Sequence, residues 1–135
     1  MAEFIFKDIS KKYKDNLIIE SKAVTNEEIG NSIYPKAQAK LREKGIAFCD
    51  HRASRITKQD YEDFDYIIVM EQYNLPRLYN IIGSDYKNKV YRLLDFTSQT
   101  GDIEDPWYSD NFEKVFNQIF DGCTGLLEHL IENGL

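Results

Sequence analysis

The run Asp65-Tyr-Ile-Ile-Val-Met70 is apolar without a break from Tyr66 to Met70, and that continuity narrows the fold more than any other stretch. A strand with one wet face alternates apolar and polar residues, whereas an unbroken apolar strand belongs to a parallel sheet covered by helices on both faces. The rest of the chain supplies such helices. Phe112, Val115, Phe116, Ile119, Phe120, Cys123, Leu126, Leu127, Leu130 and Ile131 form one apolar stripe at helical spacing, with Asp110 and Glu113 predicted to cap its start. Pro35 suits the first turn of a helix running to Lys44, with Gly45 ending it. Thr57 and Asp60 have the spacing of a capping box, and a further helix is predicted over 72–82. Residues 1–14 place Phe4, Ile5, Ile9 and Tyr13 at helical spacing, although Phe4-Ile5-Phe6 also has strand character. Leu17-Ile-Ile-Glu-Ser21 reads as a short buried strand and Val90-Tyr-Arg-Leu-Leu94 as another, with an irregular connection over 46–54. Strands alternating with helices predict an α/β sandwich around a mainly parallel sheet.

At 135 residues the chain fits a single domain, residues 1–135, able to bury a core without disulfides or metals. No apolar run reaches membrane-spanning length, and Met1-Ala-Glu-Phe-Ile-Phe-Lys-Asp8 does not read as a signal peptide. Two cysteines make no disulfide framework, so a cytoplasmic location is expected. A net charge of −6 argues against nucleic acid or anionic membrane as partners, while leaving room for a local basic pocket that holds one phosphate.

The candidate chemistry lies in Asp102-Ile-Glu-Asp-Pro-Trp-Tyr108. Proline holds the residue before it in an extended conformation, so Asp105 is expected to project from an ordered turn beside Trp107 and Tyr108. The neighbouring Asp102 and Glu104 disfavour another negative charge, which suits a proton donor working near neutral pH. An Asp-Pro turn with aromatics packed on the core explains the same residues structurally. Cys49-Asp-His-Arg-Ala-Ser-Arg55 has the literal form Cys-x5-Arg. It holds no glycine for the inward-turned amides of a phosphate loop and leads into no evident helix. Cys49 is therefore read as an ordinary semi-buried thiol and Cys123 as a core residue of the apolar stripe.

Further segments carry a resemblance. Met1-Ala-Glu-Phe4, Glu28-Ile-Gly-Asn31, Gly45-Ile46, Asp50-His-Arg-Ala53, Ile56-Thr-Lys58, Phe64-Asp-Tyr-Ile67, Met70-Glu71, Asn74-Leu75 and Asp105-Pro-Trp-Tyr108 stand in order and spacing. On these the chain resembles the low-molecular-weight protein tyrosine phosphatases over nearly its whole length. The resemblance implies a flavodoxin-like α/β/α sandwich and hydrolysis of phosphotyrosine through a cysteinyl-phosphate intermediate, with no metal or cofactor. It implies that Asp105 is the general acid and that Trp107 and Tyr108 form the wall against the substrate ring. Ser21 then shapes the phosphate loop, with His51 and Glu71 as a supporting pair that could equally be structural. Glu27 stands where many members have an aromatic at the pocket mouth, and Ser54-Arg55 departs from the usual order.

The family's first strand and its Cys-x5-Arg-Ser loop have no counterpart in these 135 residues. The expectation is accordingly a polypeptide that retains the acid but lacks nucleophile and arginine, and is inactive as written. The alternative is a non-catalytic relative serving as a binding or dimerisation module. The sheet is expected to compensate by repacking, by using Glu3–Lys7 as a substitute strand, or by exchange with a second copy. The related arsenate reductases need redox cysteines that Cys49 and Cys123 supply poorly. The aromatic pair favours phosphotyrosine over phosphoarginine.

Overall fold

The computed structural model describes residues 1–24, 34–49, 54–99, 101–104 and 110–135. Helix α1 spans Ala2–Ile9 and is followed by a 3-10 turn at Lys11–Tyr13. Helices α2 (Pro35–Glu43) and α3 (Lys58–Asp63) precede strand β1 (Ile67–Val69). Helix α4 (Asn74–Ile82) leads to strand β2 (Val90–Arg92), a 3-10 turn at Leu93–Phe96, and the long helix α5 (Phe112–Glu132).

Strands β1 and β2 pair in parallel, with Ile67 opposite Val90 and Val69 opposite Arg92. Their helices cover both faces, as the apolar run requires. Ile68 and Met70 join the core formed by Phe4, Ile5, Leu93, Phe116 and Cys123, which unites α1, α5 and the 93–96 turn. Val69, on the opposite face, packs with Ile56, Tyr61, Leu78 and Ile82 from the α3–α4 side. The three-layer α/β arrangement therefore follows directly from the alternation of side chains along β1.

Local chemistry sets most boundaries where expected. Thr57 accepts from the Asp60 amide and Asp60 from the Thr57 amide, completing the capping box of α3. Gly45 takes φ +71 just past the end of α2, a conformation that glycine adopts without strain. Helix α5 carries two interior glycines, normally unfavourable in a helix. A Cβ at Gly122 would overlap the Leu93 side chain and one at Gly125 the Phe96 carbonyl. Their absent side chains let α5 lie directly on the 93–96 turn.

Several expectations need correction. Leu17–Ser21 forms no strand; among the described residues its only nearby ladder contact is an isolated parallel bridge between Ala23 and Arg55. Glu3–Lys7 is no substitute strand but the middle of α1, whose Phe4, Ile5 and Phe6 are all buried in the helix. The cap of α5 is Asn111, whose side chain accepts from the Lys114 amide; Asp110 instead turns the chain with φ +58. The third strand stops at Arg92, where Asp95 accepts from the Arg92 amide and closes a 3-10 turn. Phe120 and Ile131, placed on the buried stripe, are exposed, since a stripe that wide wraps past the contact face. Cys49 is exposed rather than semi-buried.

Candidate active site

The segment entering the Asp-Pro motif is anchored at the carboxyl end of β1. Ile103 is buried and its amide donates to the Met70 carbonyl at 2.9 Å. Asp102 accepts from the Gln72 amide at 2.9 Å and from the Arg92 guanidinium at 3.4 Å. On the far side of the motif, Asp110 pairs with Lys36 at 2.5 Å and Phe112 lies buried at the head of α5, its ring 5.9 Å from Tyr34. Asp105, Trp107 and Tyr108 themselves lie outside the described residues, as do His51 and Glu27. The first anchors put the entry to the motif beside the carboxyl edge of a parallel sheet, the general location of ligand sites in open α/β folds; the exit is tied to the start of α2.

Ser21 is held by a residue that sequence reading passed over. The Glu3 carboxylate, 6% exposed, accepts from both the Ser21 amide and the Ser21 hydroxyl at 2.9 Å and pairs with Lys7 at 2.8 Å. A buried carboxylate is tolerated only when its oxygens are satisfied, and Glu3 obtains that from a segment eighteen residues away. The available signal was an acid flanked by Ala2, Phe4, Ile5 and Phe6 on an amphipathic helix. Glu71 follows β1 and is half-buried; its amide donates to the Asn74 side chain at 3.2 Å at the start of α4.

Cys123 does not have the setting of an activated nucleophile. Cys123 is buried against α1 and its thiol is pushed up to about 12 by desolvation, which keeps it protonated. At the other candidate, Arg55 sits in extended backbone: the Ala23 amide donates to Ser54 and the Ile56 amide to Ala23, and the next helix starts only at Lys58. An arginine in a bridge is not the first residue of a helix that follows a phosphate loop. Among the described residues no three of His, Cys, Asp and Glu gather to hold a metal, and no helix is long and apolar enough to cross a membrane.

The sequence pattern of a family described as low molecular weight phosphotyrosine protein phosphatase matches residues 1–134. The chain is 37% identical over 131 residues to the low molecular weight protein-tyrosine-phosphatase YfkJ of Bacillus subtilis, covering 94% of this chain and 84% of the relative. It is 37% identical over 136 residues to the low molecular weight phosphotyrosine protein phosphatase of Sus scrofa, covering 95% and 85%. The crystal structure of YfkJ from Bacillus subtilis superposes with a TM-score of 0.93 at 33% identity, covering 99% of this chain and 87% of that one.

Proposed function

The chain belongs to the low molecular weight phosphotyrosine protein phosphatase family, and from that premise we propose that it carries the acid half of a phosphotyrosine-hydrolysing site. Asp105 is the general acid, and Trp107 and Tyr108 form the wall that receives the substrate's aromatic ring. Ser21 is the loop-shaping serine, and His51 with Glu71 the supporting pair. The observation that supports this reading is the anchoring of Ile103 on Met70 and of Asp102 on Gln72, which ties the entry to Asp105 to the carboxyl end of β1.

In the complete reaction a thiolate attacks phosphorus and the P–O bond to the tyrosyl oxygen breaks. Asp105 donates its proton to that leaving oxygen. The Asp105 carboxylate then takes a proton from water as the water's oxygen attacks the cysteinyl phosphate, releasing phosphate and regenerating the thiolate. Loop amides and an arginine neutralise the equatorial oxygens. General acid catalysis is worth about 100- to 10,000-fold and acts only on a bound substrate with a nucleophile present. With Cys123 buried and protonated and Arg55 in a bridge, this 135-residue polypeptide is inactive on its own toward aryl phosphates.

One observation favours a second reading, a binding or dimerisation module. The Ile67 amide donates to the Lys89 carbonyl, so Ile67 faces β2 and alternation turns the Ile68 amide and carbonyl to the other edge. Among the described residues no strand pairs with that edge, and an open edge recruits another strand, including one exchanged with a second copy.

The purified 135-residue chain, assayed with p-nitrophenyl phosphate and a phosphotyrosyl peptide while its mass is followed by sedimentation, tests both readings. The expected result is no turnover above buffer. Turnover that Asp105→Asn abolishes overturns the inactive assignment, and a strict monomer at all concentrations removes the dimerisation module.

A further inference from the structure

A trough runs between α5 and the chain that follows β2. It consists of two adjoining clefts of about 320 Å³ each, joined through Phe96, Thr97, Gly125 and Glu128. It shares no residue with the segment around Asp105.

The floor of the trough is aromatic. The Phe96 ring lies 5.2 Å from His129 and 5.3 Å from Tyr91, and His129 meets Tyr66 edge-on at 6.0 Å. At one end Phe120 is 41% exposed, stacked on Phe116. The walls carry Asp95, Asp121, Glu128 and Glu132, and among the described residues no lysine or arginine lines either cleft. Arg92 pairs with Asp95 and the Gln99 amide reaches Asp121. Among the described residues Glu128 and Glu132 have no hydrogen-bonding or ionic partner.

The position of these two glutamates runs against helix stability. They stand four residues apart, where like charges on one face repel, and in the last turns of α5, where the exposed carbonyls disfavour anions. The basic residue of the last turn is His129, whose ring is engaged with Phe96 and Tyr66, and no lysine or arginine stands there. A local preference broken without a compensating contact marks a functional surface. The missing compensation is cationic, and the aromatic floor suits a guanidinium stacked on ring faces. The length and openness of two joined clefts suit an extended segment.

We propose that this trough docks a basic peptide segment of a partner protein, its arginine or lysine side chains paired with Glu128, Glu132 and Asp95 and an arginine stacked over Phe96 and Phe120. Charge complementarity carries the choice of occupant. A second copy offering its Lys11-Lys12-Tyr13-Lys14 turn is the competing occupant, and the experiment below separates the two.

The test is fluorescence anisotropy with a labelled Arg-Arg-Phe-Arg-Arg peptide at low and at physiological salt. Binding is expected, with affinity falling about fivefold in the double variant Glu128→Gln/Glu132→Gln, in line with the loss of two exposed ion pairs. That variant relieves like-charge repulsion, so its melting temperature should hold or rise, which keeps loss of fold out of the result. Phe120→Ala should also weaken binding. The double variant Asp8→Asn/Asp63→Asn removes the same charge elsewhere and should leave binding unchanged. Equal weakening by both double variants reduces the effect to net charge and overturns the proposal, as does absence of binding. Self-association of the chain that Glu128→Gln/Glu132→Gln abolishes assigns the trough to a second copy and equally overturns it.

Discussion

Leu17-Ile-Ile-Glu-Ser21 and Ile67-Ile-Val69 are built from the same kinds of residue, yet only the second is a strand. Ile67–Val69 has β2 on one edge and helices on both faces, and Val69 is 8% exposed. In Leu17–Ser21, Ile18 is 80% exposed and, among the described residues, Leu17, Ile18 and Ile19 make no backbone hydrogen bond. What holds this segment is Ile19 against the core and Ser21 on the Glu3 carboxylate. β-propensity measures fit to a paired, half-buried surface, not an intrinsic backbone preference. The contrast shows what happens when residues suited to a strand lack a ladder to join: they form no strand and rely on a core contact and a side-chain acceptor.

Three substitutions would sharpen or break this contrast. Leu78→Ala, in the buried layer against Val69, should cost about 2–5 kcal/mol in denaturant unfolding. The matched change Ile18→Ala should stay within about 0.5 kcal/mol of zero. A large loss at Ile18 would mean the segment is packed in solution and the contrast fails. Next in size, Glu3→Ala leaves the Ser21 amide and hydroxyl without this acceptor and should cost about 1–3 kcal/mol. Faster amide exchange confined to the region around Ser21 should accompany it; unchanged exchange there would show that Ser21 does not depend on Glu3.

The smallest effect concerns pH. Lys40 and Lys44 donate to Glu113 at 2.7 and 2.8 Å and hold its carboxyl at about 2, below its ordinary 4.5. Because the folded value is the lower one, the stabilisation is complete above about pH 4.5 and is lost as pH falls toward about 2. Glu113 is solvent-exposed, so screening keeps the contribution small. Glu113→Gln should flatten the acid limb of the midpoint-against-pH curve over that window while leaving the paired sheet intact. An unchanged acid limb would place the α2–α5 clamp outside the stability of the fold.

Much of the architecture was legible because it rests on local rules. The capping box at Thr57 and Asp60, Pro35 at the start of α2, Gly45 after it and the stripe from Phe112 to Leu126 all follow from spacing and backbone preference. Less legible were features that depend on distant partners. Glu3 reads as an acid on a helix until Ser21 is seen lying on it. Gly122 and Gly125 read as weak points of α5 until Leu93 and Phe96 are found against them. The exposed edge of a stripe, as at Phe120 and Ile131, depends on which neighbours reach it. For the site, the proposal of Asp105, Trp107 and Tyr108 rests on sequence order and motif, and the structure adds the anchors at Asp102, Ile103 and Asp110 on either side.

The sequence by itself determined the alternation of helices and strands, a parallel sheet covered on both faces, and the family, because periodicity, caps and ordered motifs are properties of short segments. Tertiary structure alone decided that Leu17–Ser21 is not a strand, that Glu3 is a buried acceptor, and that Glu128 and Glu132 near the end of α5 stand along an aromatic trough. Each of these depends on pairing or burial between residues far apart in the chain, and a ladder bond or a desolvated carboxylate exists only when both partners have arrived.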